Sequence, residues 1–159
     1  MKKTILYTML TAIPMVYSCS QNADTSKADA AAALMDSLGK KECFVAMDST
    51  DKAELKIKTL SNGEVKGSLV INYLEKGKND GLLVGKFSGD TLFVDYTFKI
   101  GTDNPTEYKN PLAFLKQGDK LILGVGQIET HLGRSFFVKG KPISFEKGRF
   151  IFAPVDCED

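Results

Sequence analysis

The stretch Glu54-Leu55-Lys56-Ile57-Lys58-Thr59, followed across Asn62-Gly63 by Val65-Lys66-Gly67-Ser68-Leu69-Val70-Ile71-Asn72-Tyr73, decides how the chain folds. In its first half Leu55, Ile57 and Thr59 alternate with the charged Glu54, Lys56 and Lys58. Successive side chains of a strand point to opposite faces, so this spacing predicts a strand with one face buried and one in water. In the second half Val65, Gly67, Leu69, Ile71 and Tyr73 share a face. Asn62-Gly63 predicts a tight hairpin between them, because these residue types accept positive φ.

The same pattern extends in both directions. Downstream, a loop from Glu75 to Gly81 leads to Leu82–Ser88, and Gly89-Asp90 turns the chain into Thr91–Ile100, where Leu92, Val94, Tyr96 and Phe98 share a face. Gly118-Asp119 repeats the signal between Pro111–Lys116 and Lys120–Ile128; both pairs suit two-residue turns that begin with glycine. Phe136–Val138, Pro142–Phe145 and Phe150–Val155 supply the last strands. Gly67, Gly85, Gly124 and Gly126 fall inside strand patterns, where glycine marks a bend or a barrel corner. Strands joined by short turns with no helical period between them predict an all-β fold, an antiparallel up-and-down meander of about eight to ten strands forming a small barrel or a curved half-barrel.

The N-terminus has a different character. Met1-Lys2-Lys3 precedes fifteen uncharged residues, Thr4 to Ser18, and then Cys19. A positive start followed by an apolar run predicts an export signal; the run falls short of the roughly 20 residues that a spanning helix needs, and Pro14 interrupts it. Val16-Tyr17-Ser18-Cys19 resembles a bacterial lipobox, although Tyr17 is bulkier than the usual small residue there. That resemblance implies cleavage before Cys19, a lipid on its thiol and anchoring in a membrane of the bacterial envelope. Ser20 in place of an aspartate resembles lipoproteins sorted to the outer membrane. The domain division is then 1–18 signal peptide, 19–41 lipidated tether with an Ala-rich segment that is a short helix or a linker, and 42–159 barrel.

Cleavage removes Lys2 and Lys3, so the 21 basic residues fall to 19 against 20 acidic ones. A near-neutral domain without a basic stripe makes nucleic acid a poor partner. With Cys19 assigned to lipid, Cys43 and Cys157 remain, and an even pair in an oxidising compartment predicts one disulfide between them. The stretch they bracket resembles the lipocalin-like barrels found among envelope lipoproteins, without the tryptophan usual in lipocalins and without the Cys-x-x-Cys of the copper-homeostasis type.

No catalytic signature emerges. His131 sits near Glu129 in a polar turn, but two residues do not make a site, and no Gly-x-Ser-x-Gly is present. Asp48, Asp51, Asp156, Glu158 and Asp159 lack the ligand order of a calcium loop, and Asp95 reads as an exposed strand residue. Neither metal nor cofactor is expected. The long loop from Gly101 to Asn110 is the most promising contact segment, with Asn104 and Tyr108 as candidates. The expected function is therefore a non-enzymatic binding module, held at the membrane by its lipid, that meets an envelope protein or glycan. The alternative is a carrier of a small apolar ligand in the barrel interior.

Overall fold

The computed structural model describes residues 39–158. The segment expected to be a signal peptide, Cys19 and most of the expected tether lie outside the described residues. Ten strands follow in order: β1 (Lys40–Asp48), β2 (Asp51–Thr59), β3 (Glu64–Tyr73), β4 (Gly77–Ser88), β5 (Thr91–Ile100), β6 (Tyr108–Gln117), β7 (Lys120–Leu123), β8 (Ile128–His131), β9 (Arg134–Phe137) and β10 (Ile151–Val155). Eight close into an antiparallel barrel in the order β1-β10-β7-β6-β5-β4-β3-β2, while β8 and β9 form a separate two-stranded sheet. The first strand begins at Lys40, two residues before the boundary read from sequence.

The period-two faces point as the pattern predicts. Ala53, Leu55 and Ile57 of β2, Val65, Leu69 and Ile71 of β3, and Leu92, Val94, Tyr96 and Phe98 of β5 are buried. Phe114 and Phe152 meet edge to face at 5.7 Å in the centre, with Phe150 beside Phe152. The Tyr96 hydroxyl donates to the Leu69 carbonyl at 2.8 Å, which supplies the partner that a buried polar group needs. These side chains fill the barrel.

Both Gly-Asp turns are two-residue hairpins, with Ser88 opposite Thr91 and Gln117 opposite Lys120, and with φ of 59° at Gly89 and 64° at Gly118. The β2–β3 connection differs from expectation. It has four residues, Leu60 to Gly63; only Gly63 has positive φ, and Asn62 acts through its side chain, accepting from the Glu64 N–H at 2.9 Å. The Glu75–Gly81 loop also shrinks, because Lys78 and Asp80 are outward-facing strand residues that pair with each other at 2.7 Å. Gly85 behaves as a corner: a Cβ there would run into the Phe93 carbonyl of the neighbouring strand.

The largest correction lies after Leu123. The strand expected to run to Ile128 stops there, and Pro142–Phe145 joins only through the bridge between Val125 and Ser144. Side chains at Gly124 and Gly126 would collide with Ile143, Phe145 and Phe137, so these glycines let residues 124–149 pack closely on one another.

Cys43 and Cys157 are joined, with their Cα atoms 5.3 Å apart and a separation of 114 positions in sequence. Restricting an unfolded loop of that length contributes roughly 4 to 5 kcal/mol in the chain-entropy description. Replacing both cysteines by alanine should lower the denaturant midpoint by an amount equivalent to about 4 kcal/mol. Thiol titration of the unreduced protein should find neither cysteine free, and two reactive thiols at these positions would refute the assignment.

Candidate functional site

The site is built from what the barrel cannot keep inside. On β5, Phe93 occupies the outward phase, between the inward Leu92 and Val94, and is 40% exposed. On β4, Val84 is likewise outward and opposite Asp95. On β6, Pro111 and Ala113 lie in the same outward phase, paired with Asp95 and Phe93, yet both are buried. They are covered because β9 packs against β6.

The β8–β9 hairpin therefore stands beside the outer wall, and a groove of about 870 Å³ runs between them. Phe93, Val84 and Pro111 line its barrel side, and Ser135, Phe136 and Phe137 line its hairpin side. Hydrogen bonding between the Thr130 and Ser135 hydroxyls at 3.1 Å ties the two hairpin strands, and the Arg134 guanidinium lies 5.5 Å from the centre of the Phe136 ring. The hairpin turn is Leu132-Gly133, with φ of 50° and 75°. Consecutive positive φ angles match the twist of a two-residue hairpin, but the first is a strained setting for leucine, and Leu132 is 89% exposed.

Of the candidate site residues singled out from sequence, only Asp95 lines this groove. Tyr108 is a strand residue rather than a loop residue, and its ring stacks on Phe98, which stacks on Tyr96, at centroid distances of 5.6 and 4.6 Å. Asn104 uses its side-chain carbonyl to accept from the Thr106 N–H at 2.9 Å, shaping the 101–107 loop. His131 and Glu129 are exposed on the hairpin. Asp95 pairs with Lys109 at 3.2 Å on the outer wall. Among the described residues, no three histidine, cysteine or acidic side chains gather where they would hold a metal ion.

The sequence reading missed Phe93, Val84 and Phe136. Their signal was present as apolar residues out of phase, since Phe93 and Val84 occupy strand positions whose alternation should be wet. It also missed Arg149, which donates to Asp48 through Nε and to Asp51 at 2.8 Å. Asp51 accepts from the Leu74 N–H as well, at 3.0 Å, so one carboxylate joins the β1–β2 turn, the β3–β4 turn and the segment before β10.

Comparison with known proteins finds no family model, no curated protein and no solved structure that matches the chain.

The Leu74 N–H, and after it Arg149, hold the Asp51 carboxyl below its ordinary value of 3.8. The unfolded chain therefore takes up the proton first. The stabilisation is complete above that ordinary value and is lost as pH falls through the lower folded value. Asp51→Asn should lower stability at neutral pH and flatten the loss between about pH 5 and pH 2, as followed by thermal melts. Parallel curves for parent and variant would show that the clamp does not contribute.

Proposed function

We propose that the chain is an envelope lipoprotein, lipidated at Cys19, whose barrel is a non-enzymatic binding module that receives an apolar segment of an envelope partner. The observation that carries the binding part is the groove between the β8–β9 hairpin and the outer wall, with Phe93 and Phe136 half-exposed on its opposite banks. Burial of aromatic side chains supplies much of the energy of recognition, and both rings have surface left to bury. Two of the groove's polar side chains are already engaged, Asp95 with Lys109 and Ser135 with Thr130, so what the groove chiefly offers is contact. An extended segment suits an open groove of this kind better than an enclosed small molecule does.

Carriage of an apolar ligand in the interior would require Phe114, Phe152 and their neighbours to move apart, because they fill that space. The anchoring part stands on the lipobox and on the tether that follows it.

Two measurements test the two parts separately. In cells given labelled palmitate, the parent chain should take up label and Cys19→Ser should not; equal labelling would refute lipidation at this residue. A photo-crosslinking side chain placed at Phe93 or Phe136 should yield a discrete adduct that the same group at Asn72, on the outward face of β3, does not. Adducts that are identical from all three sites, or absent from both groove sites, would remove the groove as a binding surface.

A further inference from the structure

We propose that the outer wall of β2, β3 and β4, at the corner where the described chain begins, docks on an anionic lipid bilayer. The identity of that membrane rests on the lipoprotein reading above; the surface chemistry does not. Strand register places Lys41 opposite Lys58 and Lys58 opposite Lys66, so three ammonium groups form one row across the wall, with Lys56 on the same face one step along. Directly opposed like charges destabilise a sheet, so the row carries a cost within the fold. Lys66 has only a loose partner in Glu64, at 3.7 Å, and Lys56 and Lys58 form no ion pair among the described residues.

These four lysines rim a shallow hollow of about 540 Å³ that no carboxylate lines. Its base includes Leu82, 67% exposed, and Val84, 45% exposed. Acidic groups lie nearby but are placed elsewhere. Glu54 pairs with Lys52 at 2.7 Å, and Asp156 and Glu158 share the adjoining groove with Lys52 and the other side of Lys56.

Cations around exposed aliphatic side chains fit a bilayer surface, where ammonium groups meet lipid phosphates and the aliphatic groups reach the acyl boundary. No aromatic ring lines the hollow to stack on a sugar, which disfavours an acidic glycan. Position agrees: Gly39, the first described residue, lies against the Lys58 side chain and the Thr59 carbonyl. The segment that leads back to Cys19 thus meets the barrel beside this surface.

The test uses the mature chain carrying Cys19→Ser, which cannot be acylated, and sedimentation with vesicles of phosphatidylcholine alone or mixed with phosphatidylglycerol. Binding to the mixed vesicles only, weakened by salt, is expected. Each lysine near an anionic surface is worth about fivefold in partitioning, so Lys56→Gln/Lys58→Gln/Lys66→Gln should weaken binding roughly a hundredfold. That variant should melt no lower than the parent, since it removes like-charge repulsion. Lys139→Gln/Lys141→Gln/Lys147→Gln, with the same charge change elsewhere, should bind as the parent does, and Leu82→Asn should bind more weakly. Equal loss in both triple variants, no preference for anionic vesicles, or indifference to Leu82→Asn together with full competition by dextran sulfate would each overturn the proposal. Label on Cys19 without vesicle binding would defeat this surface alone, and vesicle binding by a chain whose Cys19 is never labelled would defeat the lipoprotein reading alone.

Discussion

Everything in this fold depends on closing the sheet along β10. Six strands of the barrel, β1 to β6, are joined by sequential hairpins, and their ladders are long; β10 offers only three register pairs to β1 and two to β7. One of the three is Phe44 opposite Pro154, and proline has no N–H to give a ladder. The seam is therefore poor in backbone hydrogen bonds. Three other interactions hold the strand. Cys157 is bonded to Cys43 beyond one end, Arg149 reaches Asp48 and Asp51 before the other, and Phe150 and Phe152 enter the core between them. Closure by covalent bond, ion pairing and burial does what a short ladder cannot.

The same shortness explains where a binding surface arises. Between β7 and β10 the chain forms the separate β8–β9 sheet, and β9 packs against β6 of the wall. The wall beneath this sheet is already apolar, with Pro111 and Ala113 hidden and Phe93 only partly so. A hairpin that covered the wall completely would bury Phe93 and Phe136 and leave no groove. Incomplete cover instead leaves aromatic surface on both sides of an open channel, at the cost of a strained, exposed leucine at the hairpin tip.

How much of this was legible in sequence follows from the range of the interactions. Alternation in β2, β3 and β5 and the two Gly-Asp turns are local, and the inward faces and hairpins came out as their residues indicated. The disulfide spans the whole domain, yet the cysteine count alone suggested it, because only two thiols remained to pair. Arg149 with Asp48 and Asp51 had no such signature: charged residues about a hundred positions apart pair only once the barrel brings the turns together. The end of β7 at Leu123 was hidden for a similar reason, since the period continues while Ile143, Phe145 and Phe137 compete for the glycine backbone. Asn104 and Tyr108 were chosen because a long polar loop often makes contacts. Their groups proved to be engaged in shaping that loop and in extending an aromatic stack. Phe93 and Val84 were readable in principle, as apolar residues on the wet phase of their strands.

The disulfide takes on a mechanical sense if the chain is anchored as proposed. Tension from a lipid at Cys19 would enter the barrel at Gly39 and Lys40, the start of β1, and act along that strand from its end. Pulling a strand from its end breaks ladder hydrogen bonds one after another, and β1 has its weaker ladder on the β10 side. Cys43 lies only three residues into the strand and is bonded to the segment just beyond β10. Residues 40–42 pair only with β2, so peeling there would stop at Cys43, where the β1–β10 seam begins, before it reached Phe44 and the core behind it. The covalent closure thus stands at the point where an anchored barrel would receive its load, which a disulfide between the middles of β1 and β10 would not achieve.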